Sequence, residues 1–369
     1  MQSLLAKWWK RVAVAALVLV LLAGGLVVLV LNHNGLQDRL AKGALTRAVA
    51  QQMERSAAYG GDNLDLVFCG TASPMGNAGR AQQCMGVLAG DKFFIIDSGA
   101  RSTAVAVNMA LPVERLDGVL LTHFHSDHIS SLGELHLASW ARGRVGQLPL
   151  YGGPGVEWVA TGFNMAYGLD YGYRTAHHGE AAMPSAHSGF VAQPFKVPTK
   201  GSTVIFDEGG LKISAFSVPH PPIEPAVGFR FDYRGRSLVI SGDTAYSDNL
   251  VAEAKNAEVL VHEVLQRDLV SMTSETLAEM GQENLGKIIY DTHDYHTSPV
   301  EAAKVANRAN AKMLVFTHMA PSPASGLVER IFMRGVREIR KSGTIMADDG
   351  MHIRLPAPVN GGNSEIIVK

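Results

Sequence analysis

Hydrophobic and polar positions divide this chain into two unequal parts. Residues 12–31 are apolar throughout, broken only by Gly24 and Gly25. A helix of that length spans a bilayer core. Trp8 and Trp9 precede the run, with Lys7, Lys10 and Arg11 on the same side, as interfacial aromatics and cytoplasmic cations do. Arg39, Lys42 and Arg47 follow at greater distance, so the charge asymmetry favours a cytoplasmic N-terminus. The rival reading is a cleaved signal peptide. The run is long for that, and no small-x-small site follows before Asn32. Residues 1–34 are therefore read as a cytoplasmic N-terminus and single-pass membrane anchor, with the remainder periplasmic or otherwise extracytoplasmic. Residues 36–59 have mixed polarity, many alanines and an end near Gly60-Gly61, which predicts a helical stalk over 35–61.

From residue 62 to 369 the pattern changes to short apolar or alternating runs with helical stretches between them. Strands are expected at 64–69, 84–88, 92–96, 116–121, 148–151, 213–218, 227–233, 237–240, 258–261, 313–317, 344–347 and 352–355. Helices are expected at 103–109, 129–140, 251–255, 274–289, 299–310 and 328–341, with Pro299 in a first turn. Residues 156–173 carry Trp158, Phe163, Tyr167, Tyr171 and Tyr173, a spacing that reads as core, with a cleft lining as the rival. Residues 176–200 are rich in Gly, Pro, Ser and His without periodicity and read as a loop or lid. His177, His178 and His187 lie there without strand context and read as solvated. Strands with interspersed helices in two broad halves predict an α/β (α+β) fold, with sheets covered by helices.

Composition narrows the picture slightly. The chain has 369 residues, 47% hydrophobic and 18% charged, with a net charge of -1. That supports a large core and gives no electrostatic footprint for nucleic acid. Cys69 and Cys84 match no zinc spacing. They are either a disulfide of an extracytoplasmic domain or two separate buried thiols.

The chemistry concentrates in Thr122-His123-Phe124-His125-Ser126-Asp127-His128, where an apolar strand ends. Side chains two apart on an extended segment share a face, so His123 and His125 can reach one metal ion. Asp127 and His128 lie just past the strand and can point at a second. Imidazole and carboxylate ligands suit zinc, ahead of iron or manganese. Further apolar strands also end in ligand types: His220, Asp243 in Ser241-Gly242-Asp243-Thr244, His262-Glu263, and His318 in Thr317-His318-Met319. If these strands run the same way, the side chains gather at one rim.

These residues resemble the metallo-β-lactamase superfamily, and the likeness spans residues 64–355. A narrower likeness is to its ribonuclease Z and arylsulfatase-like branch. Gly70-Thr71-Ala72-Ser73-Pro74 resembles the first glycine-rich turn of that branch. His262-Glu263-Val264 resembles its His-Glu-Ala-Thr segment, and His296-Thr297-Ser298 its His-Ser-Thr segment. The resemblance implies a four-layer αβ/βα sandwich over residues 62–369. It implies one divalent ion, most suitably Zn2+, on His123, His125 and His220. A second would lie on Asp127, His128 and His318, with Asp243 between them. A shared water would ionise near neutrality and attack as hydroxide. Asp127 would also take a proton, and His296, oriented by Glu263, would stabilise the transition state or protonate the leaving oxygen. His293 is the alternative for that last role. Asp97 is either a partner behind a ligating histidine or a turn residue of Asp-Ser-Gly. An aspartate bridge argues against antibiotic hydrolysis.

The expected function is a membrane-anchored hydrolase of phosphodiester or sulfate esters on small-molecule substrates, of the phosphodiesterase, arylsulfatase or ribonuclease Z kind. One alternative is a tRNA 3′-processing endoribonuclease, which the lack of a basic arm makes less suitable without excluding nucleic acid. Another is a catalytically silent metal-binding module. Related enzymes often dimerise, so a homodimer is a further expectation.

Overall fold

A computed structural model describes residues 2–75, 79–358 and 365–369. The chain forms two compact units, Met1–Ala57 and Ala58–Lys369. The first consists of helices Gln2–Asn32 and Asn34–Ala57, interrupted at His33. The segment Lys7–Asn32 is long and apolar enough to cross a membrane, by length and composition. The second helix buries no residue, as expected of a helix that is polar on every side.

The larger unit is built on two sheets. Strands β1 (Gly61–Gly70), β2 (Cys84–Gly90), β3 (Lys92–Ile96), β4 (Gly118–Leu120), β5 (Leu148–Gly152) and β6 (Phe190–Pro194) come first. The second sheet takes β7 (Ser202–Glu208), β8 (Leu211–Ser217), β9 (Val227–Tyr233), β10 (Arg236–Ile240), β11 (Val259–Leu265), β12 (Met313–Ala320) and β13 (Thr344–Met346). β14 (His352–Leu355) and β15 (Ile367–Val368) return to the first sheet beside β1, giving orders β15-β14-β1-β2-β3-β4-β5-β6 and β13-β12-β11-β10-β9-β8-β7.

Alternation along the strands decides the layering. Leu64, Leu66, Phe68, Phe94 and Ile96 of the first sheet meet Ile213, Phe229, Phe231, Leu238 and Val261 of the second. The opposite faces, Val67, Phe93, Ile95 and Val119 in one sheet and Val239, Leu260, Leu314 and Phe316 in the other, are covered by helices. This is the expected four-layer αβ/βα sandwich. Parallel pairs β3–β4–β5 and β10–β11–β12 send several strand ends to one edge.

Of the two alternatives for Cys69 and Cys84, the structure has the disulfide, between the end of β1 and the start of β2. Other expectations need correction. The stretch 176–200 is not only a loop: the helix Val156–His178 runs into it, and β6 lies within it. The aromatics on that helix are not all core. Tyr171 is buried, whereas Trp158 and Tyr173 are 86% and 67% exposed, because only one face of the helix meets the sheet. Helix 274–289 is two helices, Arg267–Glu279 and Glu283–Asp291, separated at Gly281, whose φ of 77° is left-handed. Helix 328–341 divides likewise into Gly326–Phe332 and Val336–Ile339 around Gly335.

Candidate metal centre

The site begins at the end of β3. Asp97 has a left-handed backbone, φ 58°, which an aspartate tolerates better than most residues. Its buried carboxylate accepts hydrogen bonds from the Thr122 N–H and Oγ1, each at 2.9 Å, and lies 2.8 Å from His128 Nδ1. It therefore ties β3 to the segment leaving β4. With Nδ1 donating to Asp97, the Nε2 of His128 is free to act as a ligand. Asp97 is thus the partner behind a histidine, not only a turn residue.

His123 is buried and His125 half-buried, and their ring nitrogens approach to 2.9 Å. His220 follows β8, and its Nδ1 donates to the Tyr295 carbonyl at 3.0 Å. Ring-nitrogen atoms of His123, His125 and His220 lie within 4.8 Å of one another. Asp243 follows β10 after Gly242, whose φ is 63° and where a Cβ would stand 2.4 Å from the Val227 carbonyl oxygen. Only glycine fits that turn.

His318 sits inside β12 with φ 45°. Glu263 pairs with Thr317 and Val264 with Met319, so His318 is the extra residue of a bulge. A bulge re-aims one side chain, and a left-handed histidine is strain that the surrounding structure must hold. The redirected Nε2 lies 3.0 Å from Asp127 Oδ2 and 3.3 Å from Asp243 Oδ2. His128 Nε2 lies 3.4 and 3.3 Å from the same two oxygens. Separations near 3.3 Å are the edges of a tetrahedron with arms of about 2.0 Å, the zinc–nitrogen and zinc–oxygen distance. The Nε2 atoms of His128 and His220 are buried without a hydrogen-bond partner. The donor set fits divalent cations.

The electrostatics point the same way. Burial works against ionised Asp127 and Asp243, but the surrounding histidines, His128 and His318 among them, outweigh it and hold both carboxyls below their usual range. Burial likewise works against charged His128 and His318, but Asp243 and Asp127 outweigh it and push both imidazoles up. The carboxylates thus demand positive charge at this point, which a cation supplies as well as a proton. Burial, with help from His128, keeps His123 well below its usual value, and burial lowers His220 to about 4.

Beside the cradle, Glu263 Oε2 lies 3.2 Å from His296 Nδ1, while Oε1 accepts from the Thr297 N–H at 2.8 Å. Burial, reinforced by Asp243, pushes Glu263 up, and burial lowers His296 to about 4. His293 is engaged elsewhere, near Tyr290 O at 2.6 Å and Ser271 Oγ at 3.2 Å, and does not line the site. His262 points away from the cradle, its Nδ1 donating to the Glu263 carbonyl. A cavity of about 230 Å³ opens on the cradle, lined by His125, Asp127, Asp243, His296, His318 and Tyr295. Thr122 and Ser73, which lie within the quoted motifs, and Tyr295, which lies beside one, also contribute here, although residue type and spacing give none of them a role.

A sandwich of this kind with a histidine–aspartate cradle at its edge defines a class of metal-dependent hydrolases. A model of the Beta-lactamase superfamily domain matches residues 94–319. Ribonuclease Z of Mycobacterium bovis is 33% identical over 292 residues, 78% of this chain and 97% of that protein. The short form of human tRNase Z superposes with a TM-score of 0.56 at 19% identity, covering 80% of this chain and 100% of that one. A metallo-beta-lactamase fold protein from Bacillus subtilis gives 0.55 at 19% identity, covering 79% and 100%. The chain belongs to the metallo-β-lactamase superfamily, with ribonuclease Z proteins among its relatives.

Proposed function

We propose that this protein is a phosphodiester hydrolase using two divalent cations, most suitably zinc. Residues 1–34 anchor it, 35–61 form a stalk, and 62–369 form the hydrolase domain on the extracytoplasmic side. The observation that carries the chemistry is the set of 3.0–3.4 Å separations among His128, His318, Asp127 and Asp243. His123, His125 and His220 would hold one cation and Asp127, His128 and His318 the other, with Asp243 shared. The chemistry that cations held there would supply is a lowered pKa for bound water and an offset of charge on the attacked group.

The chain's own side chains do the rest. Asp127 takes the proton of the attacking water. His296 lines the cavity and returns a proton to the leaving oxygen as the ester bond breaks. Glu263, with Oε2 3.2 Å from Nδ1 of His296, would orient that ring. The phosphodiester reading is supported by relatives named as ribonucleases, which cleave that bond. The sulfate-ester reading has no comparable support. The extracytoplasmic placement is supported by the apolar helix and by the disulfide, which persists in oxidising compartments.

A second reading, tRNA 3′ processing, is favoured by identity across nearly the whole length of ribonuclease Z. It needs a cytoplasmic catalytic domain. A topology reporter fused after Lys369 separates the two, since a cytoplasmic signal revives the tRNA reading. The chemistry is tested by metal content and by turnover of phosphodiester, sulfate-ester and precursor-RNA substrates, with His125→Ala and His296→Ala as controls. His296→Ala is expected to keep its metal and lose about 10²–10⁴-fold in turnover. Full turnover in that variant removes the proton-donor role, and bound metal with no turnover of any ester by the parent supports a silent module.

A further inference from the structure

The reaction machinery does not use Tyr295, yet Tyr295 occupies a fixed place beside it. Its backbone carbonyl holds His220 Nδ1 at 3.0 Å, so the residue is locked to the cradle. Its ring lies 5.0 Å from the His220 ring and 4.8 Å from the His296 ring, centroid to centroid. The ring is half-buried and lines the 230 Å³ cavity. Pro74, Met75, Leu265 and Ala320 also line that cavity and add apolar surface to it. Small-molecule sites that enclose larger ligands run to roughly 300–1,000 Å³, so this one admits about a single flat ring beyond the reacting group.

Resting on the phosphodiester reading above, we propose that Tyr295 is a specificity-determining residue that selects esters with a flat aromatic leaving arm. The assignment of the leaving arm follows from His296. The group that protonates the leaving oxygen must stand next to it, and the Tyr295 ring is beside that imidazole. An aromatic arm gains an offset or edge contact there that a branched aliphatic arm of similar bulk does not. The wall is rigid relative to the reacting centre because the same residue's carbonyl orients His220.

Side-chain and backbone roles separate cleanly in a test. Tyr295 has an ordinary φ of -126°, so replacing its side chain keeps the carbonyl bond to His220 without backbone strain. The full-length protein, in detergent and loaded with Zn2+, is assayed on methyl p-nitrophenyl phosphate and methyl hexafluoroisopropyl phosphate. Intrinsic reactivity differences cancel when each variant's aryl-to-aliphatic ratio of kcat/KM is compared with the parent's. Tyr295→Ala is expected to lower that ratio about tenfold, mainly through KM, and Tyr295→Phe to restore it to within about twofold of the parent. Calorimetric binding of phenylphosphonate relative to methylphosphonate should lose the same factor in Tyr295→Ala. An unchanged ratio in Tyr295→Ala, or an equal loss on both diesters, overturns the inference while leaving the hydrolase reading intact. If the zinc-loaded parent turns over neither diester, the phosphodiesterase reading fails and takes this inference with it.

Discussion

At the residue scale, position 97 is the sharpest test of how a side chain outside the cradle governs it. Asp97 accepts from Thr122 and from His128, and its left-handed backbone suits asparagine nearly as well. Asp97→Asn therefore keeps the turn and the Thr122 contact but presents an amide N–H to His128 Nδ1. The imidazole then favours the other tautomer, with its proton on Nε2, where the ligand lone pair is needed. Metal affinity is expected to fall about 10–100-fold, read by competition with a chromogenic chelator, with little change in fold by circular dichroism. The proposed ligand residues were legible in the sequence because they follow apolar runs. The roles of Thr122 and Tyr295 were not, since a threonine that opens a motif or a tyrosine beside one carries no spacing of its own.

At the element scale, the helix Leu132–Trp140 buries His136 beneath Tyr171, Trp140 and Phe190. Its Nε2 accepts the Gly189 N–H at 2.7 Å, and burial lowers its pKa to about 3. The unfolded chain binds a proton there below about 6.5, and the folded one does not until about 3. Stability from this group is thus fully present above pH 6.5 and is lost as pH falls toward 3. His136→Phe should cost about 1–3 kcal/mol at pH 7, from the orphaned N–H. It should also make the acid-side decline in unfolding free energy shallower, by up to about 1.4 kcal/mol per pH unit. An identical pH slope in denaturant titrations would count against this account. The β1–β2 pair carries the second prediction. Its disulfide spans a sequence separation of 15, and closing such a loop in the unfolded chain is worth about 3 kcal/mol. Cys69→Ala/Cys84→Ala should lower stability by about that amount and abolish any response of the melting temperature to reductant.

At the scale of the whole molecule, the cradle joins the two halves of the sandwich. His123, His125, Asp127 and His128 follow β4 of one sheet, whereas His220, Asp243 and His318 belong to the other. Cations held between them would bind the folded state and not the unfolded one. At a free concentration about a thousandfold above Kd this linkage is worth about 4 kcal/mol per site. Chelation should therefore lower the melting temperature, and His123→Ala should shrink that response by about the share of one site. A parent melting temperature that ignores both zinc and chelator would show that the ligands pack without binding.

The order of apolar runs, the histidines and aspartates at their ends and the long apolar helix were all fixed by local pattern, because period and residue type are properties of neighbouring positions. The bulge that turns His318 inward, the disulfide and the place of Tyr295 were not. Each depends on which distant strands and loops lie side by side, and a one-dimensional pattern does not specify that distance.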